Sequence, residues 1–157
     1  MSDANSDFLM EQYQDVANNF TAVLSDFDYA DEMELLNISR LNFVLRKNLS
    51  QEFEVLYIAL WYNCLKTSFP ETYEAIFQQF LKYNLPQKYK SAKLQEITTR
   101  IQMYIELMGN NASTDLTPIS HHLLSFLKFD EASQRTYEMK ITLHLRKVYT
   151  YLFERLI

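Results

Sequence analysis

SDFLMEQYQDVANNFTAVLSDF, residues 6–27, sets Leu9, Tyr13, Val16, Phe20, Val23, Leu24 and Phe27 at steps of three and four. That spacing gathers apolar side chains on one face of an α-helix. Ser6 or Asp7 would cap the first amides, and the early acids suit the positive end of the helix dipole. Outward from this helix the same period continues. Asp26 to Asp31 reads as a hinge, followed by a second helical stretch through Met33, Leu36, Ile38, Leu41, Val44 and Leu45, with a break expected near Asn37.

Ser50-Gln51-Glu52-Phe53 reads as a helix start. Phe53, Leu56, Tyr57, Leu60, Trp61, Cys64 and Leu65 then present apolar surface on more than one side, as expected of the central, most buried helix. Pro70 is expected at a first helical position, with Tyr73, Ile76, Phe77, Phe80 and Leu81 continuing until Asn84 and Pro86 end the helix. The next stretch runs through Tyr89, Leu94, Ile97, Ile101, Tyr104, Ile105 and Met108, and Gly109 reads as its C-terminal cap. Residues 109–117 form the one loop of any length. Thr117 is expected to cap, and Pro118 to open, a short helix through Leu123, Leu124 and Leu127. Asp130 caps a last helix carrying Tyr137, Ile141, Leu145, Val148 and Leu152, with Phe153 and Ile157 added, still helical at the chain end. No alternating strand pattern and no repeat of domain-building period competes with this reading. The expected fold is all-α: a single domain over 1–157, a bundle of about six or seven helices.

Composition narrows the chemistry. The 157 residues contain one glycine, Gly109. Dinucleotide-binding turns, P-loops and nucleophile elbows need glycine where backbone approaches a ligand or takes positive φ, so none can be assembled. The single cysteine, Cys64, cannot form an intrachain disulfide, which fits a reducing compartment or an effector exported without disulfides. The longest apolar run, Val55 to Trp61, is far short of the roughly 20 residues of a membrane span, and the N-terminus lacks a secretory pattern. A cytoplasmic location is expected.

The net charge of −5 is unevenly laid out. Residues 1–34 hold nine acids (Asp3, Asp7, Glu11, Asp15, Asp26, Asp28, Asp31, Glu32 and Glu34) and no lysine or arginine, whereas the remainder has 15 bases against 11 acids. The acidic segment would either latch onto a basic surface of the same chain or face a basic partner. Lys82, Lys88, Lys90, Lys93 and Arg100, with Tyr83 and Tyr89 between them, form one basic stretch. Arg135, Lys140, Arg146, Lys147 and Arg155 form another. The acidic whole and the lack of a recognised module argue against nucleic acid as partner.

Metal and catalytic patterns fail on spacing. His121 and His122 are adjacent and diverge on a helix, no Glu-x-x-His pair occurs, and one cysteine makes no zinc site. Read as a calcium loop from Asp26, the chain places Asp31 where glycine is needed and Asn37 where a bidentate glutamate belongs. Cys64 sits among apolar neighbours with no base to activate it. No cofactor, metal or catalytic residue is expected, although scattered catalytic residues would leave no motif. Tyr57, Tyr62, Tyr83, Tyr89, Tyr104, Tyr149 and Tyr151 exceed what a small core easily hides, and tyrosines at boundaries suit protein interfaces. The leading expectation is a non-enzymatic helical module (adaptor, chaperone, inhibitor or regulator) that binds another protein with a basic surface. Its contacts would be Asp7, Glu11, Asp15, Asp26, Asp28 and Asp31, with Tyr29 and Met33 as apolar anchors; homodimerisation through the first or last helix is a further expectation. The alternative is a carrier of an apolar or planar ligand held near Trp61 and His144, the histidine serving as an axial ligand to a tetrapyrrole.

Overall fold

Ten consecutive residues, Glu52 to Trp61, are buried in one helix, and a helix enclosed on all sides has to be the one around which the others pack. The computed structural model describes residues 2–109 and 115–157. Among them are seven helices and no strand. These are α1 (Ser2–Ser25), α2 (Ala30–Leu35), α3 (Phe43–Ser68), α4 (Tyr73–Gln79, continuing through a π-helical segment, Phe80–Asn84, into Leu85–Lys88), α5 (Ser91–Met108), α6 (Thr117–Leu124) and α7 (Glu131–Glu154). The enclosed helix is α3. It packs against α4, α5 and α7; α1 lies on α4 and its π segment, and α6 bridges α5 and α7.

Ring contacts fix the direction of α1. Phe20 stacks on Trp61 with centroids 4.0 Å apart, Phe27 meets Tyr57 at 5.0 Å, and Tyr29 meets Phe53 at 6.4 Å. Numbers rise along one segment as they fall along the other, so α1 runs antiparallel to α3.

Several boundaries differ from the sequence expectation. The helix containing the 6–27 stripe begins by Ser2, so Ser6 and Asp7 are interior and do not cap it. The break at Asn37 is present, with φ +55°, a conformation asparagine tolerates. The helix expected from Ser50 starts at Phe43: Asn42 Oδ1 accepts from the Leu45 amide at 3.2 Å and caps it. Pro70 lies in a turn ahead of α4. Pro86 does not end its helix, because the π segment covers Lys82, whose carbonyl a proline four residues on would strike in a regular spiral. Thr117 is the first residue of α6 and donates its amide to Asp115 at 3.0 Å, which corrects its reading as a cap. Two end signals hold: Gly109 closes α5 at φ +66°, and Asp130 accepts from the Ser133 amide at 2.7 Å ahead of α7. α7 ends at Glu154, short of the chain end. The loop expected over 109–117 lies in part, at 110–114, outside the described residues. No helix among the described residues is long and apolar enough to cross a membrane.

Candidate functional site

Three glutamates lie inside this bundle, at Glu32, Glu52 and Glu54. A dry carboxylate is stable only when charge and hydrogen bonding compensate it. Each has the same solution, one tyrosine hydroxyl and one basic group. Glu32 on α2 accepts from Tyr57 Oη at 2.5 Å and from His144 Nε2 at 2.9 Å, on the same oxygen. Glu52 accepts from Tyr104 and pairs with Arg100, which also reaches Gln51 at 3.2 Å. Glu54 accepts from Tyr89 at 3.0 Å and pairs with Lys88 at 2.6 Å.

The electrostatics follow from this geometry. Burial by itself would raise the Glu32 carboxyl, but hydrogen bonds from His144 and Tyr57 outweigh it and hold the group below its ordinary range. Burial first, and the neighbouring carboxylate second, push the Tyr57 and Tyr104 phenols far above theirs, and Tyr89 is raised to about 12. The Cys64 thiol is raised by burial to about 12, the direction that makes a thiol inert.

These clusters correct the interpretation of the tyrosines. Tyr57 and Tyr104 are fully buried, Tyr89 is half-buried on Glu54, Tyr62 donates to Glu74 at 2.7 Å, and the Tyr149 hydroxyl accepts from Asn63 at 3.4 Å. Tyr151 carries the Arg155 guanidinium 3.7 Å over its ring, and only Tyr83 of the seven stands exposed. Most of the phenols point to acceptors of their own chain.

The expected contact residues separate into two groups. Asp7, Glu11, Asp15, Asp26, Asp28 and Asp31 are exposed. None of these six forms an ion pair among the described residues; of the acids in residues 1–34, Glu32 is the one that meets a basic group, His144. Asp28 accepts from the Ala30 amide at 3.0 Å. Tyr29 and Met33, by contrast, are core residues and cannot anchor a partner as they stand. The left-handed backbone at Tyr29, φ +64°, turns the chain so that these two side chains and Glu32 face α3. The ligand-pocket expectation is also corrected: Trp61 is covered by Phe20 on a face and Phe80 on an edge, and His144 Nε2 is engaged by Glu32.

α1 is held to the bundle by apolar and amide contacts. Ala17 and Phe20 are buried, and Asn84 from the π segment accepts from Gln14 at 2.7 Å while donating to Asn18 at 3.0 Å and Thr21 at 2.8 Å. Earlier in the helix the contacts run out, and Met10 Sδ, 3.5 Å from Gln79 Nε2, is the outermost of them. Phe8 and Met10, which the sequence did not single out, are here with Leu9 of the stripe: Phe8, Leu9 and Met10 are 57%, 40% and 47% exposed. Asp3, Asp7 and Glu11 follow each other at four-residue steps and are exposed with them. From Phe20, α1 extends about 27 Å toward Ser2, whereas α3 extends only about 10 Å from Trp61 to Ser68, at 1.5 Å per residue. The acidic, apolar end of α1 therefore projects past the end of the central helix. Three apolar residues in succession beside the stripe are the signal that would have found it, since the stripe alone accounts for Leu9.

At the opposite end of α3, Leu41, Phe43 and Val44 are 82%, 74% and 73% exposed. Arg40 and Lys47 stand exposed beside them, and Arg46 donates to the Ile38 carbonyl at 3.2 Å. No acid occurs between residues 35 and 51. Next to this segment a cleft of about 540 Å³ opens between α3, α5 and α6, lined among others by Leu45, Lys93, Met103, His122 and Phe126. The His122 ring stands perpendicular to Tyr104 and Phe126, 5.4 Å from each. Among the described residues no cluster of histidine, cysteine and carboxylate groups could hold a metal ion. No protein-family model matches the chain, and no curated protein or solved structure matches it either.

Proposed function

We propose that the protein is a non-enzymatic binding module that engages a protein surface of basic and apolar character through the projecting end of α1. The observation that carries this reading is the exposure of Phe8, Leu9 and Met10 beside Asp3, Asp7 and Glu11 on the stretch of α1 that runs past the end of α3. An isolated helix end of two or three turns is marginal in water, and consecutive exposed apolar residues favour burial against a partner. Acids around an apolar centre select basic partners and speed encounter. The remaining exposed acids of residues 1–34, Asp15, Asp26, Asp28, Asp31 and Glu34, extend the same sign along that segment and would steer rather than anchor. The interior offers a contrast that favours binding over catalysis: its charged groups are paired with each other, and its one thiol is buried.

The test compares tagged wild-type protein with Phe8→Ser/Leu9→Ser and with Asp7→Lys/Glu11→Lys as baits in extract of the native host at low and high salt. A stoichiometric partner held by the wild type, weakened by salt and lost from both variants while their thermal unfolding is unchanged, is expected. Equal retention by all three baits would overturn the reading.

A further inference from the structure

Two of the exposed apolar patches have opposite charge and sit at opposite ends of the molecule. On one end are Phe8, Leu9 and Met10 with Asp3, Asp7 and Glu11; on the other are Leu41, Phe43 and Val44 with Arg40 and Lys47. Taking Trp61, stacked on Phe20, as the common reference, Leu9 lies 11 residues along α1 in one direction and Phe43 lies 18 residues along α3 in the other. At 1.5 Å per residue these offsets sum to about 43 Å along the bundle. The patches cannot meet within one chain.

We infer that the projecting end of α1 in one copy docks on the Arg40–Lys47 segment and adjoining cleft of a second copy, head to tail. This rests on the binding-module reading and names the partner as the same chain. Both patches are then covered by one contact. Phe8 and Leu9 meet Leu41, Phe43, Val44 and the cleft-lining Leu45 and Phe126, with Asp3, Asp7 and Glu11 facing Arg40 and Lys47; Lys93 on the cleft is already paired with Glu96 at 3.4 Å. Because the joined surfaces differ, the contact is heterologous. Each docked copy still offers one free α1 end and one free basic patch, so assembly continues until a ring closes or a filament grows. The sequence also allowed a homodimer through the first or last helix, but a two-fold pair would need one self-complementary patch, and here the complement lies at the far pole.

Sedimentation velocity on wild type, Phe8→Asp and Phe43→Asp, each alone and then mixed one to one at low salt, tests this directly. Both residues are exposed, so both variants should keep the wild-type thermal transition. The wild type should show a weight-average mass that at least doubles with concentration and falls back in high salt. Each variant alone has lost one half of the contact and should remain at one chain's mass. Their mixture should form a species of two chains and no larger, because one variant supplies the intact basic patch and the other the intact α1 end.

Wild type that stays at one chain's mass throughout would overturn self-docking. If the α1-dependent capture of another protein persisted, the binding-module reading would survive that failure. Variants that still associate alone, or a mixture that does not pair, would also overturn it. So would a wild-type protein that remains monomeric but pellets with phosphatidylserine–phosphatidylcholine vesicles through Phe43, since the basic patch would then belong to an anionic membrane surface.

Discussion

Replacing Tyr57 by phenylalanine removes one oxygen from the interior and leaves the ring against Phe27, Tyr29 and Phe53, at centroid distances of 5.0, 5.8 and 5.9 Å. No cavity of consequence forms, so the cost is that of the hydrogen bond lost to Glu32. A bond to a buried charged acceptor is worth about 1.5–3 kcal/mol, and the carboxylate left behind retains His144 and its own backbone amide. For a domain of this size each kcal/mol moves Tm by about 2–4 °C, so the expected loss is roughly 3–12 °C. Tyr104→Phe, at Glu52, should fall in the same range. Tyr89→Phe should cost less, about 0.5–1.5 kcal/mol, because Glu54 keeps Lys88 at 2.6 Å and that lysine is 62% exposed to water. Tyr62→Phe, whose acceptor Glu74 is exposed, should fall within about 0.5 kcal/mol of wild type. Urea and thermal unfolding at neutral pH give the order, and Tyr57→Phe repeated in a Glu32→Gln background gives the coupling, which should be at least about 1 kcal/mol. A Tyr57→Phe loss no larger than that of Tyr62→Phe, or a coupling near zero, would refute the account of the buried glutamates.

Two further outcomes follow from the same interior. Glu32 titrates lower in the folded chain than its ordinary value of 4.5, so the unfolded chain takes up the proton first as pH falls. Its stabilisation is full above that ordinary value and is lost as pH drops through the lower folded one; Glu32→Gln should flatten Tm against pH in that window relative to wild type. Cys64, buried with its thiol raised to about 12, should resist a thiol-specific chromogenic reagent at pH 8 in the native protein and react only as fast as the chain unfolds.

Local signals were legible in the sequence and long-range ones were not. The α1 stripe, the enclosure of α3, the Gly109 stop and the Asp130 cap each depend on residues within a turn or two of one another. Asn42 escaped notice because Phe43 and Val44 behind it are exposed, so the start of α3 carries no inward periodicity. Pro86 misled because the widening that admits it is a backbone adjustment with no residue type of its own. The exposure of the expected contact residues was legible only in part. The exposed acids follow from their charge alone, but Tyr29 and Met33 were placed outward with them, and only the left-handed turn at Tyr29 sends them inward. The burial of Glu32, Glu52 and Glu54 has no local signature at all: Tyr57 is 25 residues from Glu32, and Tyr104 is 52 from Glu52.

A helix as uniformly oily as α3 has little reason to stop at one depth. Leucine, isoleucine and valine on its neighbours would accept it one turn, about 5.4 Å, too far along either way. The carboxylates remove that freedom. Sliding α3 by a turn would strand Glu52 and Glu54 away from Arg100 and Lys88 and pull Tyr57 off Glu32, leaving dry charges at several helix junctions together. The three pins act as detents, so that a sequence whose apolar residues are nearly interchangeable still clicks into a single alignment.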